Sequence, residues 1–249
     1  MTDRRFIERI EEAALNAWPA PRQFLYDGWV IRFAEGHTKR ANSVNVRYPS
    51  SLPLKEKIGH CEKVYAAEGQ PVIFRLPEPF TSDELRHALM EEGYSSFDPT
   101  FVLGREIAIE GQLPAGLKTR YMLTGDWIRL RAHLTGTSLS EWRVHVKILD
   151  VIVPEKALLG LFRDDTPVAC GMGVVEGSLL GYFSIYTAPS ERRRGYGRAV
   201  MKALSYWGLD RGADFGYLQV EGDNAPALAL YARLGFEQCY QYCYSMKFT

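Results

Sequence analysis

Between Ser190 and Arg198 the chain reads Ser-Glu-Arg-Arg-Arg-Gly-Tyr-Gly-Arg, a stretch suited to holding an anion. Gly195 and Gly197 let backbone amides approach a ligand that a Cβ would keep away. Arg192, Arg193, Arg194 and Arg198 surround them with positive charge. Ahead of this stretch, Leu179–Ala188 is a run of apolar and aromatic residues bounded by Gly177 and Pro189, which predicts a buried strand. Behind it, Val200, Ala203, Leu204 and Trp207 recur at helical spacing until Gly212. Strand, glycine-bearing loop and helix N-terminus together expose first-turn N–H groups that lack intrahelical partners, the usual cradle for a phosphate. Farther on, Asn224 stands ahead of a predicted helix over 225–234, and Tyr231 follows it by two turns, hence on the same face. Glu221 ends the strand predicted over Asp214–Glu221.

The spacing Arg192-x-x-Gly195-x-Gly197 matches the Q/R-x-x-G-x-G/A signature of the GNAT superfamily, the acyl-CoA-dependent N-acyltransferases. The resemblance continues to Phe236. Asp214–Glu221 looks like the family's fifth strand, and Asn224–Phe236 is similar to its fourth helix, with the pattern N-x-x-A…Y-x-x-x-G-F intact. The resemblance implies an α/β (α+β) fold, a mixed and mostly antiparallel sheet flanked by helices, with acetyl-CoA as cosubstrate. It implies an enzyme that moves an acetyl group to a primary amine of a small-molecule or peptide acceptor by direct attack in a ternary complex. The alternative is a non-catalytic acyl-CoA sensor that keeps the arginine–glycine loop.

By the same resemblance, backbone groups of Ile185, Tyr186 and Thr187 pair with the pantetheine arm like an added strand. The amides from Arg192 through Arg193, Arg194, Gly195, Tyr196, Gly197 and Arg198 hold the pyrophosphate. Asn224 reads as an N-cap and, in relatives, also touches the cofactor. Tyr231 is the expected general acid, since a phenol is a reasonable proton source for a departing thiolate; the plainer alternative is a packing tyrosine beside Leu230 and Leu234. For the base, Glu221 at the cleft is the first choice, Glu176 at a hairpin the second, and a water relay a third.

The elements that position these groups follow from the patterns around them. In the second half, a strand near Lys118–Leu123, helices near Asp126–Leu134 and Ser138–Ile148, and a meander over Lys156–Arg163, Pro167–Glu176 and Leu179–Ala188 lead to the anion loop. Gly171-x-Gly173 falls inside a strand pattern, which favours a bulge or close packing over a dinucleotide fingerprint. The first half repeats this order: strands at Trp29–Ala34 and Ser43–Tyr48, helix Leu54–Ala67, strand Pro71–Leu76, a helix from Thr81 or Ser82 to Gly93, and strand Thr100–Ile109. Where the anion loop belongs it has Pro49–Leu54, with neither glycine nor arginine. Two GNAT-like lobes are therefore expected: a degenerate one over 1–111, opened by an amphipathic helix over 2–17 with Thr2 as cap, and a catalytic one over 117–249. Gln112–Gly116 links them. The Asp27–Val44 stretch resembles that of bacterial acetyltransferases built from such a pair. Its polar loop, Glu35–Asn42, is either a hairpin tip or a place where Arg40 and Asn42 reach substrate.

Composition narrows the partners. The 249 residues are 46% hydrophobic and 24% charged with a net charge of zero, so no global field draws the chain to nucleic acid or an anionic membrane. The Arg192–Arg194 run has no aromatic–basic interleaving around it, which disfavours nucleic-acid binding. The N-terminal residues carry charges throughout and form no signal-like apolar core, and no membrane span is expected. Four cysteines without C-x-x-C spacing read as reduced thiols in a cytoplasm, and five scattered histidines give no metal site.

Overall fold

A computed structural model of the chain describes residues 3–109 and 111–248. Helix α1 (Arg4–Ala17) starts at Asp3, whose side chain accepts the Arg5 N–H; the expected cap, Thr2, lies outside the described residues. A hairpin of β1 (Arg22–Tyr26) and β2 (Trp29–Phe33) follows, turning at Asp27-Gly28, both with positive φ. Next come β3 (Val44–Val46), α2 (Leu54–Ala67), β4 (Phe74–Pro77), α3 (Asp83–Glu91) and β5 (Ser95–Glu106). The second half holds β6 (Leu117–Tyr121), α4 (Thr124–Thr135), α5 (Arg143–Asp150), β7 (Glu155–Arg163), β8 (Thr166–Glu176), β9 (Leu179–Thr187), α6 (Tyr196–Leu209), β10 (Phe215–Glu221), α7 (Ala225–Arg233) and β11 (Glu237–Met246). One strand was not expected: β1 is an exposed edge, so its RQFLY sequence has no buried face to impose alternation.

All eleven strands form a single mixed, largely antiparallel sheet in the order β1-β2-β3-β4-β11-β5-β10-β9-β8-β7-β6. Among the described residues the two parallel pairs are β3–β4 and β9–β10, each joined by a crossover helix, α2 and α6. The terminal strands of the two halves are exchanged. β5, from the first half of the chain, lies between β10 and β11, and β11 lies between β5 and β4. The N-terminal α1 packs across β8 and β9 of the other half.

Strand alternation sorts side chains between the faces. Cys170, Met172 and Val174 of β8 join the core under α1, α4 and α5, while Ala169 and Val175 join the core under α6 and α7; Val168 joins the latter too because the register with β7 slips there. A third cluster packs α2 and α3 on Trp29, Ile31, Phe74 and Leu76. The exchange is anchored by a buried ion pair: both oxygens of Glu11 on α1 accept from Arg75 on β4, at 2.6 and 2.8 Å, and Tyr240 on β11 donates to the same carboxylate. Burial resists ionisation of Glu11, but Arg75 and the hydrogen bonds more than offset it and hold the carboxyl below its ordinary range.

Candidate active site

β9 and β10 pair only between Leu179–Tyr182 and Phe215–Leu218. Beyond Tyr182 they part. Two features steer β9 away: its register with β8 slips between Cys170 and Met172, and Ser184 holds a left-handed φ of 52°, unusual for a non-glycine residue. Gly171 sits at the slip because a Cβ there would come within 2.6 Å of Val200 and 2.7 Å of Ile185. From Phe183 onwards the edge of β9 that faces β10 therefore has no strand partner among the described residues, and its polar groups are open to an extended ligand.

The gap is the mouth of a cavity of about 670 Å³, well inside the range of small-molecule sites. Ile185 lies on one side, Gln219, Val220 and Glu221 of β10 form the floor, and Asn224, Ala227 and Tyr231 come from α7. β11 adds Tyr242 and Tyr244, and β5 adds Thr100. The far wall comes from the other half of the chain: Trp18 and the loop Gly36–Arg40, facing Arg131 of α4 and Trp142 and His145 at α5.

At the end of β9 the chain enters the arginine–glycine loop. Gly195 is the residue before α6 and holds φ = 80°, a conformation that any side chain would strain. Arg192, Arg193 and Arg198 are exposed and have no carboxylate partner among the described residues. Arg194 instead pairs with Glu191 at 3.1 Å. Tyr196 is buried and accepts from Arg163 at 3.1 Å, which pins the first turn of the helix to β7. The ring of Tyr186 lies between two guanidiniums, Arg131 at 4.2 Å and Arg192 at 5.9 Å. Thr187 approaches Gly197, placing the strand end beside the helix start. Ile185, Tyr186, Thr187 and the Arg192–Arg198 loop thus form one continuous path.

α7 brings Asn224, Ala227 and Tyr231 to the cavity. Asn224 caps the helix, its Oδ1 accepting the Ala227 N–H at 3.2 Å. Tyr231 packs edge-on against Phe236 at 5.9 Å, and burial pushes its phenol up to about 12. The phenol therefore stays protonated throughout the neutral range. Its hydroxyl has no hydrogen bond among the described residues, so it is free for a ligand. Glu221 is exposed at the cavity mouth. Glu176, the second choice for the base, does not line the cavity; it accepts from Asn16 of α1 at 3.0 Å, beside a separate hollow.

Several groups in the wall, His145, Arg131 and Tyr242 among them, are not visible as site residues in the sequence, whereas Arg40 is one of the residues singled out there. His145 is 5% exposed and ringed by Trp18, Trp142 and His37, with centroids 5.0, 5.0 and 5.7 Å away. Burial, helped by His37 and Arg131, pushes its pKa down to about 3, so the imidazole is neutral at ordinary pH. Arg131 donates to the Ser184 carbonyl at 3.4 Å and so braces the bend in β9. Arg40 faces Tyr242 and Tyr244, and Tyr242 donates to Gln219 at 2.8 Å. Behind Arg40, the buried Arg32 donates to the carbonyls of Arg40, Leu15 and Trp18. Burial together with the nearby Arg75 and Arg40 charges lowers its pKa to about 9. Of the Glu35–Asn42 loop, Arg40 reaches the cavity whereas Asn42 does not: its Oδ1 accepts from Ala34 and Gly36 and closes the loop on itself.

The chain is similar to several proteins named as acetyltransferases. A family described as "Probable histone acetyltransferase Rv0428c C-terminal" matches residues 6–245. An uncharacterized N-acetyltransferase of Bacillus subtilis strain 168, YobR, is 27% identical over 246 residues, which cover 97% of this chain and 98% of that one. A mycothiol acetyltransferase of Clavibacter sepedonicus is 34% identical over 192 residues, 74% of this chain and 61% of its own. Among solved structures, a GCN5-related N-acetyltransferase from Kribbella flavida aligns with a TM-score of 0.70 at 17% identity over 96% of this chain and 95% of its own. A tandem GNAT protein from the clavulanic acid biosynthesis pathway gives 0.65 at 12% identity, over 82% and 74%. At such identities the structural likenesses establish the fold. The family match runs across both halves of the exchanged sheet, and the chain accordingly belongs to the Rv0428c C-terminal acetyltransferase family, within the GNAT superfamily of N-acetyltransferases.

Proposed function

We propose that the protein transfers an acetyl group from acetyl-CoA to a primary amine by direct attack, with both substrates held in the gap between β9 and β10. The supporting observation is the open edge of β9 from Phe183 to Thr187, which leads without interruption from the cavity to the N-terminus of α6. On this reading the pyrophosphate rests on the Arg192–Arg198 loop, where Gly195, Tyr196 and Gly197 offer backbone N–H groups and Arg192, Arg193, Arg194 and Arg198 supply charge. Charge-assisted hydrogen bonds contribute roughly 1.5–3 kcal/mol each. Ile185, Tyr186 and Thr187 pair with the pantetheine arm, and Asn224 borders it.

The thioester is already activated, so the site's work is alignment and proton handling. The amine nitrogen attacks the carbonyl carbon, the C–S bond breaks, the thiolate takes one proton and the nitrogen loses one. Tyr231 donates to the thiolate. A phenol near 12 is a weak acid for a thiolate in water, but the same burial raises the thiol pKa too and narrows the mismatch. Glu221, exposed at the mouth, accepts the proton from the nitrogen. Thiol release from acetyl-CoA across a panel of amines tests the reading. Acetyl-CoA binding without thiol release for any amine would favour the sensor alternative.

A further inference from the structure

The cavity wall is cationic beyond what the protein neutralises. Lys39, Arg40 and Arg131 line it, against the single carboxylate of Glu221 at the mouth. Lys39 is paired with Asp98. Arg40 and Arg131 have no carboxylate partner among the described residues: Arg131 meets a carbonyl, a thiol and two aromatic rings, and Arg40 meets two phenols. Both guanidiniums also keep a buried Nε without a hydrogen bond. Arg32 lies just behind Arg40 and is bonded to carbonyls only. Buried or half-buried guanidiniums ordinarily have an anion beside them, because desolvating a cation without one is costly. The planar fork of arginine fits a carboxylate or a phosphate in particular.

We propose that the acceptor is an amine that itself carries an anionic group, carboxylate or phosphate, and that Arg40 and Arg131 receive that group. This rests on the transferase reading of the same cavity. Arg131 enters from the β9 side, against Ser184 and Tyr186, and Arg40 from the β11 side, against Tyr242 and Tyr244. An anion held there leaves the amine free to approach the β9 edge. The aromatic wall of Trp18, Trp142 and Phe183 accommodates the apolar body of such a molecule.

The test is a binding measurement that does not require turnover. With CoA present, calorimetry compares N-acetyl amino acids, their amides and N-acetyl-phosphoethanolamine. The acids or the phosphate should bind at least tenfold more tightly than the amides. Whichever anion binds more tightly names the group, and either result supports the proposal. Arg40→Gln and Arg131→Gln should each erase most of that preference, and Arg40→Gln should leave CoA affinity within a few-fold; Arg40→Lys should retain part of the preference. Amides binding to the native protein as well as the acids and the phosphate overturns the proposal without any variant. Discrimination between acid and amide in a protein that acetylates no amine would uphold the anion site and discard the transferase reading.

Discussion

Asp27 is bound to Leu52: its carboxylate accepts the Leu52 N–H at 2.9 Å, just ahead of α2. The same carboxylate takes the Ser51 N–H at 3.0 Å, and Lys57 stands 3.2 Å away. These contacts, the two backbone donors first, hold the Asp27 carboxyl far below the usual carboxylate range. α2 follows β3 as α6 follows β9, and the N–H groups just ahead of α2 are already met by the protein's own carboxylate.

One acetyl-CoA per chain is therefore expected. Gly195→Glu should abolish binding, since it strains a residue at φ = 80° and puts negative charge against the pyrophosphate. Titration calorimetry checks both; two equivalent sites, or unchanged affinity in the variant, would contradict the placement.

Tyr231→Phe keeps the ring on Phe236 and removes only the hydroxyl. If the phenol protonates the thiolate, kcat should fall by on the order of 10²–10⁴, roughly 3–5.5 kcal/mol of barrier. Acetyl-CoA affinity and the thermal midpoint should hardly move. Full kcat at saturating substrates would remove Tyr231 from the mechanism.

Residues 117–249 expressed alone should not form a stable domain. Without β5, β10 and β11 lose the strand between them, and without α1 part of the apolar face of β8 and β9 is uncovered. Circular dichroism and solubility decide it: a cooperative melt from the fragment would show that the exchanged strand is dispensable.

Arg75→Met leaves the Glu11 carboxylate buried with its main partner gone, and should cost about 3–5 kcal/mol of stability. Replacing both residues with apolar ones of similar volume should recover much of the loss. Urea denaturation of the single and double variants measures the difference, and a silent single variant would show that the pair contributes little.

Acid should weaken the fold through two groups with different onsets. An unfolded histidine protonates near 6.5, whereas His145 in its aromatic ring protonates only near 3. Between those values the unfolded state binds the extra proton, so stability falls as pH is lowered through that window. Glu35 acts lower down. Hydrogen bonds from Arg143 and then Lys147 hold its carboxyl at about 2, so the stability it adds is complete above the ordinary carboxylate range and is lost as pH falls towards 2. Thermal melts from pH 7 to 3 should flatten across the range, from about 6.5 downwards, in His145→Phe and only at the lower end in Glu35→Gln. An unchanged profile in His145→Phe would exclude the imidazole as the cause.

Read alone, the sequence determined the local parts. Arg192-x-x-Gly195-x-Gly197, the Asn224 cap and Tyr231 two turns later were legible because glycine at positive φ, a side-chain cap and helical periodicity are properties of neighbouring residues. The order of strands and helices was legible for the same reason, except β1, whose exposed edge carries no burial pattern. Which strand lies beside which was not. A ladder bond from β10 to β5 is the same bond as one to β11, so no local preference reveals that the two halves exchange their last strands. That depends on which edges remain unpaired once the sheet assembles, and on Glu11 meeting Arg75 and Tyr240. The cavity wall follows from the same exchange. Arg40, Arg131, His145 and Tyr242 come from separate parts of the chain and meet because β11 and the Gly36–Arg40 loop are brought to the gap where β9 and β10 part.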